Sequence, residues 1–329
     1  MREGFAIVAF TARGRALAET LCAALGGTLA QPDGEGFSLA DWTAENFPAR
    51  QALIFVGAAG IAVRAVAPHL KSKAEDPAVL CVDEYGRHVI PLLSGHLGGA
   101  NALARRVACL TGGEAVITTA TDLNGVFAVD LWAARQGLVI PEPEKIKSVS
   151  AKLLRGETVT LSCPYSIRGA APEHLVLADG GEILVSWRDV PHTGLRLVPR
   201  NLTLGVGCKK GTDAQTLEAA FVRFCRERGV RPEAIRDAAS IDLKQNEPGL
   251  LAFCEAHAWR PAFYCAEELR ELDGDFTASA FVEAQTGVDN VCERAAYLRC
   301  GGRLVEKKHA AGGVTFALAE YPTELDWSF

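Results

Sequence analysis

The chain has 329 residues, 49% of them hydrophobic, and a formal net charge of −6 at pH 7. That length and apolar content suffice for a sizeable core divided over two or three domains, while the acidic balance argues against a nucleic-acid partner, which needs a basic excess or stripe to meet phosphate. The longest apolar run, Ala52 to Val63, stops at Arg64 and falls short of a membrane span, so no membrane partner and a cytoplasmic setting are expected.

In chain order, Phe5 to Phe10 reads as a buried strand, Thr11 to Gly14 as a turn and Arg15 to Leu25 as an amphipathic helix. The pattern repeats with strand Ala52 to Val56, turn Gly57 to Gly60 and helix Ile61 to Leu70. Strands follow near Val79 to Val82 and His88 to Leu92, then helix Leu97 to Cys109, strand Ala115 to Thr118 and helix Val126 to Gln136. This alternation predicts an α/β domain with a mostly parallel sheet over residues 1–140. The turn-rich Pro141 to Lys145 opens a small middle subdomain, 141–200, with strand-like pieces at Thr158 to Ser162 and Ile183 to Trp187. A second α/β domain, 201–329, is expected from strand Leu202 to Val206, helix Asp213 to Arg228, helical runs through Phe253 and Ala295, and closing strands near Leu304 and Val314 to Leu318. The ten cysteines include no Cys-x-x-Cys pair and, with no export signal read at the N-terminus, are expected as small buried residues rather than a disulfide framework.

Three glycine-bearing turns, Thr11 to Gly14, Gly57 to Gly60 and Ser94 to Gly99, precede helices where free N–H groups favour anions; the alternative is that these glycines only make tight turns. No Gly-x-Gly-x-x-Gly follows the first strand, so a dinucleotide fingerprint is absent. His96 sits between Gly95 and Leu97 at the last of these turns, placed to act as a general base on water or to stabilise the turn. Ser94 is not in a Gly-x-Ser-x-Gly elbow, which argues against a covalent serine mechanism. Asp122 and Asp130 are candidates to orient His96 or bind substrate, although Asp122 is equally suited to cap a helix beginning near Leu123. Thr118, Thr119 and Thr121 offer hydroxyls at a strand end, and Asn101 closes the glycine-rich segment.

Basic residues come in pairs, Lys71 with Lys73, Arg105 with Arg106 and Lys209 with Lys210, each either an anion contact or a solvated face. Arg64 is suited to a bidentate carboxylate pair, and Lys73 flanks the Glu75-Asp76-Pro77 turn. Gly205 and Gly207 to Thr212 form a second glycine-rich strand-to-helix turn, a further anion-binding candidate, in which Cys208 is read as a structural thiol for want of a partner. Glu293 is a further substrate-binding candidate, with a surface ion pair the alternative for it and for Lys307. No His/Cys spacing suggests a metal site.

Several of these segments carry a family likeness. Gly57-Ala-Ala-Gly-Ile-Ala-Val-Arg64, Lys71 to Val79, Val82-Asp-Glu-Tyr-Gly86, Pro91-Leu-Leu-Ser-Gly-His-Leu-Gly-Gly-Ala-Asn101 and Ile117-Thr-Thr-Ala-Thr-Asp122 resemble the cobalt-precorrin-5A hydrolases of cobalamin biosynthesis. Leu204-Gly-Val-Gly-Cys-Lys-Lys-Gly-Thr212 and Thr286-Gly-Val-Asp-Asn-Val-Cys-Glu-Arg-Ala-Ala296 resemble that family's C-terminal domain. The resemblance implies a two-part α/β enzyme that opens the δ-lactone of cobalt-precorrin-5A and releases acetaldehyde. It suggests His96 as the base on water, the N–H groups of Gly98 and Gly99 around the oxyanion, and Arg64, Lys73, Lys209 and Lys210 on the macrocycle's carboxylates in a cleft between domains. No cofactor is expected, since cobalt arrives in the corrinoid substrate. A homodimer and a transient hand-off to neighbouring pathway enzymes are further expectations. Two rivals use the same turns: a non-catalytic carrier of corrinoid intermediates, and a nucleotide- or sugar-phosphate-binding enzyme.

Overall fold

The structure, a computed structural model, describes residues 2, 4–32, 36–72, 75–96 and 98–328. The chain divides into two units, Met1–Leu131 with Leu153–Gly156, and Trp132–Lys152 with Glu157–Phe329.

In the first unit the elements are β1 (Phe5–Ala9), α1 (Ala12–Leu25), β2 (Thr28–Leu29), α2 (Leu39–Ala49), β3 (Ala52–Val56), α3 (Ala59–Val66), β4 (Ala78–Val82), β5 (His88–Leu93), α4 (Ala100–Thr111), β6 (Glu114–Ala115) and α5 (Ala120–Leu123), followed by α6 (Val129–Arg135). The strands lie in the order β2-β1-β3-β4-β5-β6. Strands β3 and β4 are buried along their whole length, as continuous apolar runs covered on both faces should be. Helix α1 starts where the Thr11 hydroxyl accepts the Gly14 N–H at 3.0 Å and stops at Gly26, whose φ of 76° only glycine adopts without strain.

The parallel expectation holds for most pairings, with one exception that matters. Strand β5 runs antiparallel to β4, pairing Leu93 with Val79 and Val89 with Val82. The reversal is made by a turn in which the Asp83 carboxylate accepts the N–H groups of Tyr85 and His88 and Gly86 takes φ 69°. The C-terminal end of β5 therefore lies beside the N-terminal end of β4, at the edge of the sheet opposite the C-terminal ends of β1 and β3. Helix α2 had no counterpart in the sequence reading; it begins at Ser38, whose hydroxyl accepts the Asp41 N–H, and lays Trp42 edge-on to Phe55 with ring centroids 5.7 Å apart.

In the second unit a five-stranded sheet has the order β10-β8-β11-β12-β7, from β7 (Leu138–Val139), β8 (Val159–Ser162), β10 (Leu175–Leu177), β11 (Ile183–Val185) and β12 (Leu195–Pro199); the short β9 (Ile167–Arg168) pairs with a C-terminal strand at Leu325–Asp326. Helix α7 (Ile146–Leu154) precedes β8. A third sheet, β15-β14-β13-β17-β16, is built from β13 (Leu202–Cys208), β14 (Ile235–Ile241), β15 (Pro261–Tyr264), β16 (Arg303–Ala311) and β17 (Val314–Glu320). Helices α8 (Ala214–Arg228), α9 (Pro248–Ala256), α10 (Ala266–Arg270), α11 (Ala280–Thr286) and α12 (Cys292–Cys300) complete it. In its core Phe221 and Phe253 pack edge-on against Trp259, and Phe316 packs against Phe221 and Phe224. Helix α12 lies directly on β13: a Cβ on Gly205 would stand 1.8 Å from the Cys292 carbonyl oxygen, so glycine is required there by backbone contact. No described helix is long and apolar enough to cross a membrane.

Candidate active site

At the C-terminal end of β5 the chain makes a strained turn. Ser94 takes φ 56°, a left-handed conformation that costs a non-glycine residue about 1–2 kcal/mol, and its hydroxyl donates to the Asp76 carbonyl at 2.9 Å. The following glycines are needed by contact. A Cβ on Gly95 would meet the Asn101 side chain at 2.8 Å, and one on Gly98 the Ser94 Cβ at 2.3 Å. Gly99, at φ 79°, donates its N–H to the His96 carbonyl at 2.8 Å, so that amide closes the turn and is not directed at a ligand. Tight packing and positive φ thus explain glycines read from the sequence as ligand contacts.

The turn aims the His96 ring at two carboxylates. Nδ1 lies 3.2 Å from Asp130 Oδ2 and Nε2 lies 2.8 Å from Asp122 Oδ2, with the Thr121 hydroxyl 3.3 Å from Nε2. Only the imidazolium presents an N–H to both carboxylates, since the neutral ring has one donor and one acceptor. The side chains of His96, Asp122 and Asp130 are 12%, 10% and 9% exposed. The Asp130 hydrogen bond, reinforced by Asp122, pushes the His96 pKa above its ordinary value against the opposing pull of burial. Burial pushes the other way on both aspartates, yet their pKa values end below the usual range: Arg105 and His96 outweigh it at Asp122, and His96 does so at Asp130.

Asp122 does not act as a helix cap. Besides His96 it accepts Asn101 Nδ2 at 2.9 Å and Arg105 Nη2 at 2.7 Å. Asn101, buried at the start of α4, also donates to the Thr119 hydroxyl at 2.7 Å. Asn101 and Arg105 are four residues apart and therefore share one face of α4. The Arg105 side chain is 56% exposed, so it presents its remaining donors to solvent. In the sequence Arg105 stands out only as half of a basic pair, and its spacing from Asn101 is the signal that would place it here. Thr118 is exposed and stands outside this network.

Other expected site residues lie elsewhere. Gly57 and Gly60 sit at the opposite edge of the sheet, where β3 ends, and the exposed Arg64 donates back to the Gly60 carbonyl at 3.2 Å. Lys73 falls outside the described residues.

In the second unit, the turn after β13 already holds an anion of its own. Gly211 donates its N–H to Glu247 Oε2 at 3.0 Å, and Lys244 pairs with Glu247 Oε1 at 3.0 Å. Asp213 caps α8 by accepting the Thr216 N–H, while the Thr212 hydroxyl donates to the Lys209 carbonyl. Lys209 and Lys210 are exposed. A Cβ on Gly207 would meet the Thr315 hydroxyl at 2.3 Å. Burial raises the Cys208 pKa, as befits a structural thiol. Lys307 forms the expected surface pair, with Asp275 at 2.7 Å. Glu293 corrects the expectation: it is fully buried, and its carboxylate accepts the backbone N–H groups of Thr277 at 2.8 Å and Lys308 at 2.6 Å. It ties two chain segments together where a substrate contact or a surface ion pair was expected.

Comparison with known proteins then adds an identity to this geometry. Family models described as cobalamin synthesis G N-terminal, cobalamin biosynthesis central region and cobalamin synthesis G C-terminus match residues 41–122, 127–199 and 202–319. The chain is 36% identical over 346 residues to the cobalt-precorrin-5A hydrolase of Salmonella typhimurium, covering 96% of this chain and 97% of that protein. It is 32% identical over 302 residues to the cobalt-precorrin-5A hydrolase of Priestia megaterium, covering 84% and 80%. A solved structure of a cobalamin biosynthesis protein G homolog from Sulfolobus solfataricus aligns over 97% of both chains at 24% identity, with a TM-score of 0.40.

Proposed function

The chain belongs to the cobalt-precorrin-5A hydrolase family of cobalamin biosynthesis, and from that premise we propose that it hydrolyses the δ-lactone of cobalt-precorrin-5A and releases acetaldehyde, giving cobalt-precorrin-5B. The observation that carries the assignment of the chemistry to this site is the His96 ring held between Asp122 and Asp130.

A ring with both nitrogens facing carboxylates rests as a proton donor, so His96 serves as a shuttle instead of beginning as a base on water. Asp130 fixes the ring through Nδ1, and Nε2 is the working nitrogen. As water adds to the lactone carbonyl and the acyl C–O bond breaks, Nε2–H protonates the departing alkoxide. The neutral ring then takes that proton back from the freed hydroxyl. The carbon–carbon bond breaks, acetaldehyde leaves, and the macrocycle carbon receives the proton from Nε2. Water gives up two protons in becoming part of a carboxylate; one recharges the ring and one is released. Arg105, paired with Asp122 and open to solvent, is placed to meet a peripheral carboxylate of the substrate.

The reaction as written uses no cofactor, and the cobalt enters as part of the substrate. A cytoplasmic setting belongs to the same proposal and accords with ten unpaired cysteines. The test is anaerobic incubation of the purified chain with cobalt-precorrin-5A, following acetaldehyde and product mass together. Turnover lost in His96→Gln with binding retained supports the shuttle. Binding without turnover in the unaltered chain refutes the hydrolase reading in favour of a carrier.

A further inference from the structure

In the second unit a pocket of about 430 Å³ opens beside β16, with Tyr165 and Trp187 in its wall and Val305 on its apolar side. Its base is the buried carboxylate of Glu320, 4% exposed. One oxygen accepts Tyr165 Oη at 2.7 Å, Trp187 Nε1 at 3.1 Å and Asn201 Nδ2 at 3.3 Å; the other accepts Arg303 Nε at 2.9 Å and Nη2 at 2.7 Å. Five donors saturate it, so it has no capacity left for a cation or a ligand hydroxyl.

The unspent groups in this pocket are donors. Arg303 keeps Nη1, and its side chain is 76% exposed. The Arg188 guanidinium lies over the Trp187 ring at 4.2 Å and spends Nη1 on Glu306, leaving Nε and Nη2 without an acceptor among the described residues. Each arginine is held in place by a carboxylate or a ring, so little side-chain freedom is lost when it binds.

We propose that this pocket is a binding site for a carboxylate carried on a short apolar stem, specifically an acetate or propionate arm of a planar tetrapyrrole. The carboxylate takes the free donors of Arg188 and Arg303, while the stem and macrocycle edge lie against Val305 and Tyr165. A volume of this order suits one arm and its ring. Naming a tetrapyrrole rests on the function proposed above; the donor-rich, aromatic character of the pocket does not.

The test titrates the full chain with uroporphyrin, a planar macrocycle bearing acetate and propionate arms, read by porphyrin fluorescence anisotropy. Arg188→Gln removes the donors and Val305→Phe fills the space from the other side, each checked by thermal unfolding. Arg188→Gln should weaken binding about tenfold, the effect of one charge-assisted hydrogen bond, and Val305→Phe should weaken it by excluding the ring. Wild-type affinity in both folded variants overturns the site, as does displacement of the porphyrin by inorganic phosphate alone, which would mark a simple anion site. Arg188-dependent porphyrin binding without acetaldehyde release leaves the pocket standing and removes the hydrolase reading. Normal acetaldehyde release with porphyrin affinity untouched by both variants does the reverse.

Discussion

Asp130→Asn isolates the carboxylate that orients His96. Asp130 is buried and its Oδ2 is 3.2 Å from Nδ1, so the amide replaces it with little change of volume but without the charge. A hydrogen bond to a charged partner contributes about 1.5–3 kcal/mol; with about 1.4 kcal/mol per tenfold in rate, loss of that contribution from the working ring lowers kcat/KM by roughly 10- to 150-fold. The pH profile should move as well. A proton-donating His96 is active below its raised pKa and loses activity as pH rises through it. Asp130 is the largest upward influence on that pKa, so Asn shifts the alkaline limb of kcat/KM to lower pH. The assay is initial-rate acetaldehyde release coupled to alcohol dehydrogenase, across pH, with thermal unfolding as the control for folding. A folded Asp130→Asn variant within roughly threefold of wild type and with an unmoved alkaline limb would refute the shuttle.

His96→Gln should lower stability most between about pH 4 and pH 6.5. The raised histidine contributes below its ordinary value of 6.5 and loses that contribution as pH rises through the folded value, while the depressed aspartates contribute above their ordinary 3.8 and fade as pH falls through their folded values. A melting-temperature difference independent of pH would count against the ionic arrangement. Gly98→Ala places a Cβ 2.3 Å from the Ser94 Cβ, and overpacking of this kind costs about 1–3 kcal/mol, read as a lower urea midpoint. Glu293→Ala removes the buried carboxylate that accepts the Thr277 and Lys308 N–H groups; at about 1.5–3 kcal/mol for a hydrogen bond to a charged group, the loss in ΔG of unfolding should exceed that of Lys307→Ala, whose surface pair contributes at most about 1 kcal/mol.

Where periodicity was strong, the sequence was sufficient. Fully apolar Ala52 to Val56 and the glycine-stopped helix ending at Leu25 were read within a few residues of their observed limits. Elements without such contrast were not. Helix α2 carries Asn46 and Pro48 near its end and only a few buried positions, so its stripe is weak, although Ser38 ahead of it was a readable cap. Strand β14 has no strand signature in the sequence because Arg236, Asp237 and Ser240 interrupt its apolar run. These polar groups are accommodated by tertiary partners: Asp237 takes the Thr203 hydroxyl at 2.7 Å and Arg299 at 3.0 Å, and Ser240 donates to the Val206 carbonyl at 2.7 Å. Partners tens of residues away in the chain leave no local trace.

The same distinction governs the site. His96, Asp122 and Asp130 could be picked out by residue type, but the charge state of the ring could not, because it depends on two carboxylates 26 and 34 residues away arriving on opposite nitrogens. The location of the site was, by contrast, within reach. The expectation of a mostly parallel sheet would put the Gly57 and Ser94 turns at the same end of it, with β3, β4 and β5 all running the same way. Only Asp83 to Arg87 separate β4 from β5, and a parallel crossover needs about a dozen residues or more. So short a link forces a hairpin, the hairpin reverses β5, and the reversal moves His96 to the far edge of the sheet from Gly57 and Arg64. Substrate groups bound near Arg64 would thus have no geometric claim on His96, whereas Arg105, one helical turn beyond Asn101 on α4, does. Arg105→Gln should therefore raise KM for cobalt-precorrin-5A in steady-state acetaldehyde release, and Arg64→Gln should leave both KM and kcat near wild type. The opposite ranking would place the reacting lactone at the Gly57 edge and take His96 out of the chemistry.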